Sequence, residues 1–320
     1  MTSAPRPVAP DSSLTEAAGE PGAGAIPAFV NPVAGGADSA RDALARDSRF
    51  AIHEVTPERL AEAARHAAAG GARRLLVAGG DGTIATVAGA LAETEVELAV
   101  LPGGTLNHFA THLGIPTEPA AALEVAVTGA ARLVDAAFVN ERLFVNTSSV
   151  GAYVAFVRAR ERLEPILGYW LSSLVAGVRT LFYLPRYRIS LEVEGTVRHY
   201  RTTLVFVGVG ERALSPAKLG QRPAAGREGL HVIVVRGSRP ARLFALALAA
   251  AREGRDGVER LPEVDSFVVE RCSVAMFGRQ VRVATDGEVV RDAPPLEYRV
   301  AHGALRVVAP PQASGARSEV

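Results

Sequence analysis

The stretch that most constrains the fold is residues 75–86, which read LLVAGGDGTIAT. A short apolar run ends at two glycines, an aspartate follows between glycines, and a segment of helical character opens at Thr83. This order predicts a strand, a tight turn and a helix. Glycines lack a Cβ atom, so backbone N–H groups can close on an anion, and a helix N-terminus adds partial positive charge there. A strand-to-helix turn that binds nothing is the alternative.

A second turn of the same kind lies downstream and favours the anion-binding interpretation. The apolar run 97–101 is followed by Pro-Gly-Gly-Thr at 102–105. Upstream, the run 25–30 enters an Asn-Pro and Gly-Gly loop at 31–36. Short strands that alternate with helices predict a parallel sheet covered on both faces. Because ligands bind at the carboxyl ends of such strands, we expect these loops to meet at one edge.

Composition excludes several classes of function. Lys and Arg total 35 and Asp and Glu total 34, so the net charge is close to zero and does not indicate nucleic-acid binding. The single cysteine excludes an internal disulfide and a multi-cysteine metal site, and fits a reducing cytoplasmic compartment. Residues 1–24 lack the basic start and apolar core of a signal peptide. Their composition, like that of 310–320, predicts a disordered segment.

The chain changes character near residue 133. Two long segments, 152–184 and 240–252, read as helical insertions between runs rich in β-branched residues. These runs predict a mainly antiparallel sandwich. They are 134–139, 143–150, 187–193, 203–209, 230–235, 266–269, 281–284, 296–300 and 304–308. Asp286-Gly287 lies between two such runs and is a preferred pair for a two-residue hairpin turn.

Residues 166–184 are about long enough to cross a bilayer, but Arg179 lies among them. Apolar residues recur on one helical face and small residues on another, so the segment predicts an amphipathic helix and not a transmembrane span. Its apolar face either packs against its own domain or contacts a membrane surface. Both alternatives stay open from the sequence.

With these pieces placed, the sequence resembles the diacylglycerol kinase catalytic-domain family, specifically the bacterial lipid kinases that are related to sphingosine kinases. The matching residues keep the family's order. They are Val30-Asn31-Pro32 with Gly35-Gly36, Gly79-Gly80-Asp81-Gly82-Thr83, the LPGGTLN run 101–107 with Phe109-Ala110 and the LGIP run 113–116, Phe144-Val145-Asn146 with Gly151, and Asp286-Gly287-Glu288.

The resemblance implies an ATP-binding α/β domain at 25–132 and a β-sandwich acceptor domain at 133–309, with the reaction in the cleft between them. It implies a γ-phosphate transferred to a lipid hydroxyl such as that of diacylglycerol, with Mg²⁺ as cofactor. Asp286 takes the place of the catalytic base. On chemical grounds Asp81 is the natural loop carboxylate to organise Mg²⁺ or its water shell, and a turn-stabilising aspartate is the alternative. The nucleotide-binding residues are Asn31, Thr56, Gly79, Gly80, Asp81, Gly82, Thr83, Ile84, Ala85, Gly104, Thr105 and Glu288.

Two segments depart from the family's pattern. Many relatives carry an Asn-rich loop and then an Asp-Gly-x-Leu-Asp segment that helps to form a structural Mg²⁺ site. Here the loop 208–212 reads GVGER and the later segment 226–231 reads GREGLH. We therefore predict no metal ligand in these two segments. The altered loop puts acceptor recognition, or even activity, in question. His108 and His112 are four residues apart, but without a third ligand nearby they predict solvent- or cleft-facing side chains.

Rival functions are an NAD kinase, which also uses GGDGT, and a non-catalytic lipid or nucleotide sensor. Ser148 and Ser149 lack the turn and partners of a hydrolase nucleophile. No Walker A or GxGxxG element is present. We expect a cytoplasmic protein with transient contact to the inner membrane face and no transmembrane helix. The acceptor lipid and the oligomeric state stay open, with a homodimer as one alternative.

Overall fold

The computed structural model describes residues 24–105, 107–182, 186–211, 227–236 and 264–311. The helix predicted at 240–252 and nearly all of the predicted leader and tail lie outside these residues.

The first half is a parallel sheet with helices on both faces, as predicted. Each of β2, β3 and β4 runs parallel to its neighbour, in the order β4-β3-β1-β2. The strands are β1 (Ile26–Val30), β2 (Phe50–Glu54), β3 (Arg74–Gly79) and β4 (Glu97–Pro102), and the helices are α1 (Ala37–Ala45), α2 (Leu60–Ala69), α3 (Asp81–Leu91), α4 (His108–His112) and α5 (Pro119–Thr128).

Alternation along the strands explains why both faces of this sheet are covered. Leu75 and Val77 pack with α2 and α3 on one face, while Leu76 and Ala78 pack with α1 and α5 on the other. All four side chains are fully buried or nearly so. A strand that is apolar on both sides is typical of a central parallel sheet.

The second half is mostly antiparallel, again as predicted, with the long helix α6 (Ala152–Phe182) between its third and fourth strands. Its strands are β5 (Ala130–Val139), β6 (Arg142–Phe144), β7 (Thr147–Gly151), β8 (Tyr187–Val193), β9 (Thr196–Val209), β10 (Leu230–Arg236), β11 (Val264–Val269), β12 (Arg271–Met276), β13 (Val281–Thr285), β14 (Glu288–Asp292) and β15 (Leu296–Ala309). A separate core fills this half, with Leu191, Val207, Val232, Val274 and Leu296 fully buried at its centre.

The last strand joins the two halves into one sheet. β15 pairs antiparallel with β12 near its start, antiparallel with β5 along much of its length, and parallel with β4 at Arg306 and Val307. The sequence suggested two strands here, at 296–300 and 304–308. They are one strand with an irregularity between Ala301 and Leu305, where Gly303 adopts a φ of 58°.

Other boundaries differ from the predictions. The predicted strand 143–150 is divided into β6 and β7, because the amides of residues 145–147 turn away to contact Asp286. The helix α2 begins at Leu60, after a separate turn in which the N–H groups of Arg59 and Leu60 donate to the carbonyl of Thr56. β12 and α5 were not predicted.

The long helix α6 presents its apolar side outward. Gly168 has a φ of 70° and a ψ of 170°, which kinks the helix three residues after Pro165. Beyond the kink, Ser172 and Ala176 are fully buried, whereas Leu174 is 64% exposed. Leu167, Leu171 and Val178 are exposed as well. Packing of the apolar face against its own domain was therefore the wrong alternative, because the small residues make the close approach.

In the part of the chain that the structure describes, no helix is long and apolar enough to cross a membrane.

Candidate functional site

Three turns at the carboxyl edge of the parallel sheet touch backbone to backbone. The N–H of Gly103 donates to the carbonyl of Gly79 at 2.9 Å. A Cβ on Gly104 would lie 2.8 Å from the Cα of Gly80, and one on Gly36 would lie 2.8 Å from the carbonyl oxygen of Gly103. Real Cβ atoms do not approach so closely, so these positions require glycine. The loops after β1, β3 and β4 therefore meet, as the topology predicted.

The N-terminus of α3 opens into this meeting point. Gly80 precedes the helix in an extended conformation, and no side chain caps the first turn. Uncapped N–H groups at a helix start are an anion-binding arrangement. The hydroxyl of Thr83 lies in the same turn and accepts a hydrogen bond from Nδ2 of Asn31 at 3.0 Å. Asn31 is buried, so this contact fixes the loop after β1 against α3.

Asp81 connects α3 to α4. Its Oδ2 accepts from the N–H of His108 and its Oδ1 accepts from the N–H of Phe109, both at 3.1 Å. The carboxylate thus satisfies two otherwise unpaired amides at the start of α4. A carboxylate has about four acceptor positions, so both oxygens keep capacity for a cation or for water.

Asn107 holds the second glycine turn closed, a role that sequence reasoning did not assign. It adopts the left-handed conformation with a φ of 48°. Its Oδ1 accepts from the N–H of Gly104 and its Nδ2 donates to the carbonyl of Gly104, both at 2.8 Å. The available signal was its place just before a helix, where asparagine tolerates positive φ.

The remaining predicted nucleotide residues differ in what they can offer. Thr56 is exposed at the end of β2, beside the strand that carries Asn31. Thr105 is exposed on the second glycine turn. Ile84 is fully buried in the core, and its N–H bonds within α3 to the carbonyl of Gly80. Ala85 packs beside the same core.

Asp286 forms the tip of the β13–β14 hairpin, as the sequence predicted. Asp286 and Gly287 have φ values of 47° and 92°, the left-handed pair that a type I′ turn requires. The carboxylate of Asp286 contacts the neighbouring chain: Oδ1 accepts from the N–H groups of Asn146 and Thr147, and Oδ2 from that of Val145, at 2.8 to 2.9 Å. These contacts hold the side chain in one orientation.

Glu288 links the hairpin to the glycine turn. Its carboxylate occupies the space that a Cβ on Gly82 would need. Among the residues that the structure describes, no hydrogen bond or ion pair to Glu288 is found. The carboxylate of Glu288, which has no partner among the described residues, therefore lies at the first turn of α3.

Other candidate groups lie outside this arrangement. His108 and His112 are both exposed on α4, as predicted. Ser148 is buried and its hydroxyl pairs with that of Tyr298 at 3.2 Å, which leaves the hydrolase reading without support.

A separate group of side chains surrounds His302. Asp135, Glu228 and His302 place ligand atoms within 4.8 Å of one another. Nδ1 of His302 faces Asp135 at 3.2 Å and Nε2 faces Glu270 at 2.9 Å, so both ring nitrogens have a carboxylate partner. Hydrogen bonding to Glu270, and then to Asp135, raises the pKa of His302 against the effect of burial.

Parts of this chain are similar to known proteins. Residues 26–139 match the diacylglycerol kinase catalytic domain. A probable lipid kinase YegS-like protein of Cronobacter sakazakii is 34% identical over 52% of this chain and 58% of its own length. One of Chromohalobacter salexigens is 30% identical over 64% of this chain and 65% of its own length. The matched part thus spans about three fifths of those relatives.

A crystal structure of a diacylglycerol kinase from Bacillus anthracis has the same fold. It superposes with a TM-score of 0.67 and 22% identity, over 90% of this chain and 98% of the other. Residues 26–139, which carry the glycine turns, are therefore similar to the diacylglycerol kinase catalytic domain.

Proposed function

We propose that this protein is an ATP-dependent lipid kinase that transfers the γ-phosphate of ATP to a lipid hydroxyl such as that of diacylglycerol. The observation that carries the proposal is the contact of Glu288 with Gly82. Because of this contact, the β13–β14 hairpin, which carries Asp286 at its tip, lies beside the glycine turn at the start of α3. A donor phosphate on the glycine turns and an acceptor near the hairpin would then be neighbours.

The donor site is formed by the glycine turns and the start of α3. Backbone N–H groups at this helix end would contact the phosphates, and the contact between Asn31 and Thr83 keeps the turns in place. Thr56 and Thr105 are exposed at the edge of the same site. Transfer of a phosphoryl group depends mainly on positioning and charge stabilisation, which such a preorganised turn supplies.

Asp286 is the proton acceptor in this proposal. The lipid hydroxyl oxygen forms a bond to the γ-phosphorus, the bond from that phosphorus to the β–γ bridging oxygen breaks, and ADP leaves. The hydroxyl proton passes to the Asp286 carboxylate. Three backbone amides hold this carboxylate in a fixed orientation, which a proton acceptor in phosphoryl transfer requires.

The carboxylates present fit Mg²⁺. Glu288 is unpaired among the described residues and lies at the glycine turn, and Asp81 retains acceptor capacity beside it. Hard carboxylate oxygens are the ligands that Mg²⁺ prefers, so these two residues would hold it. The ion would neutralise charge on the transferring phosphate.

The outward face of α6 supports a substrate taken from a membrane. Trp170 is 78% exposed, and Leu171, Leu174 and Val178 are exposed on the same segment. Arg179, Arg186 and Arg188 follow and are exposed too. An amphipathic helix with apolar residues and flanking arginines is suited to lie in a membrane interface. We therefore place the acceptor half, 133–309, against the inner face of the membrane and the donor half, 25–132, away from it.

The experiment is γ-phosphate transfer from labelled ATP to a panel of hydroxyl lipids and to NAD. Transfer to at least one lipid and none to NAD supports the proposal. Transfer to NAD alone would make the protein an NAD kinase. No transfer together with ATP binding would indicate the non-catalytic sensor.

A further inference from the structure

A cavity lies at the end of the β13–β14 hairpin that is opposite to Asp286. It has a volume of about 400 Å³ and opens between the first turns of α6, the start of β13 and the turn after β12. Arg282, near the start of β13, is four residues from Asp286, or roughly 13 Å along an extended strand. The cavity is therefore distinct from the place where phosphoryl transfer would occur.

Three arginines line this cavity: Arg158 of α6, Arg282 of β13 and Arg291 of β14. Arg282 and Arg291 are paired directly across the hairpin. Like charges directly opposite each other on neighbouring strands are destabilising. In the part of the chain that the structure describes, no carboxylate forms an ion pair with any of the three. An anion bound between these arginines would offset the repulsion.

The other walls of the cavity are apolar. Val150, Val154 and Met276 line it, and Phe277 at its edge is 96% exposed. Arg279 follows Phe277 on the same turn. A soluble anion does not need such surroundings, whereas a lipid phosphate carries acyl chains that would contact them.

We propose that this cavity binds the phosphate headgroup of an acidic phospholipid, with Phe277 inserted among the acyl chains. Guanidinium groups bind phosphate oxygens in a bidentate manner, so Arg282 and Arg291 would share the headgroup and Arg158 would approach from the helix. The bound phosphate would remove the repulsion across the hairpin. This site is independent of the proposed kinase activity.

The test compares binding of the full chain to phosphatidylcholine vesicles with and without phosphatidic acid. The variant is Arg282→Gln/Arg291→Gln, and the matched control is Arg65→Gln/Arg73→Gln, which removes two exposed charges from the other half. We expect tight binding only with phosphatidic acid, a loss of roughly thirtyfold in the variant and little change in the control. We expect Phe277→Ser to weaken binding as well.

Three outcomes would overturn the inference. Equal loss in both arginine variants would show a general charge effect. Equal binding to both kinds of vesicle would show no headgroup recognition. Inorganic phosphate that binds the wild type as tightly as the vesicles do, and not the variant, would make the ligand a soluble anion.

Stability and activity provide two further controls. The unfolding midpoint of Arg282→Gln/Arg291→Gln should equal or exceed that of the wild type, because the substitution removes a repulsion. Phosphoryl transfer to a short-chain acceptor without vesicles should be unchanged. Failure of the kinase proposal would leave the vesicle result intact, so the two can be told apart.

Discussion

The carboxylate of Glu288 lies against Gly82, in the space that any larger residue at position 82 would fill. Glu288 belongs to the hairpin of the antiparallel half and Gly82 to the first turn of the helix after β3. They are far apart in sequence, and their contact joins the hairpin that carries Asp286 to the start of α3. The proposed mechanism depends on it.

Gly82→Ala tests this contact. The added methyl would displace the Glu288 carboxylate, which is the end of a flexible side chain, so the fold should be preserved. We expect phosphoryl transfer to fall by about 10- to 100-fold and the free energy of unfolding to change by less than about 1 kcal/mol. Gly89→Ala is the control, since a Cβ there meets Leu143 at an ordinary 3.6 Å.

Glu288→Gln keeps the shape of the side chain and removes its charge. We expect a similar decrease in turnover and a weaker response to Mg²⁺, because glutamine is a poor ligand for this ion. The measurement is turnover as a function of Mg²⁺ concentration. An unchanged Mg²⁺ dependence would remove Glu288 from the metal site.

Gly104→Ala tests the contact between the two glycine turns. Its Cβ would lie 2.8 Å from the Cα of Gly80 and 3.0 Å from Oδ1 of Asn107, so backbone must move. We expect ATP affinity to fall at least about tenfold and stability to fall by about 1–3 kcal/mol. Calorimetric titration and thermal unfolding measure the two effects. Gly35→Ala, with no atom within 4 Å of its Cβ, should show neither.

Leu174→Ser/Val178→Ser tests membrane contact by α6. Both side chains are exposed, so stability should change by less than about 0.5 kcal/mol each. We expect reduced activity on an acceptor carried in vesicles and normal activity on a short-chain soluble acceptor. Val197→Ser, at another exposed apolar position, is the control. Equal loss on both acceptors would contradict a membrane role.

His302 should make stability dependent on pH. Its pKa is raised in the folded state, chiefly by hydrogen bonding to Glu270, above an unfolded value of about 6.5. The stabilisation is therefore fully present below about pH 6.5 and is lost as pH rises through the higher folded pKa. Since the side chain is about half exposed, we expect at most about 1 kcal/mol. Urea unfolding of His302→Gln across this range should lack the dependence.

The glycine turns and their meeting at one edge could be predicted from the sequence. Asn31, Gly79 and Gly104 follow strands of a parallel sheet, and the carboxyl ends of neighbouring parallel strands lie side by side. The type I′ turn at Asp286 and Gly287 was predicted for a local reason too, since both residues tolerate positive φ.

Contacts between distant residues could not be predicted. The three amides that hold Asp286 are about 140 residues away from it, and they also interrupt the strand that local propensity indicated. The hydrophobic pattern of α6 identified its apolar face but not the side on which the protein lies. Burial of Ser172 and Ala176 depends on tertiary packing, which a helical pattern alone does not show.

The most direct test of the central claim is ATP-dependent phosphorylation of a hydroxyl lipid by the wild type and by Asp286→Asn. Asn retains one acceptor oxygen for the amides of residues 145–147 and places an NH₂ group against the third, so some loss of stability is expected. Asp292→Asn, on the same hairpin, is the matched control. The account predicts that Asp286→Asn binds ATP but loses about 10²- to 10⁴-fold in turnover, while Asp292→Asn stays active. Near-normal lipid phosphorylation by a folded Asp286→Asn protein would contradict it.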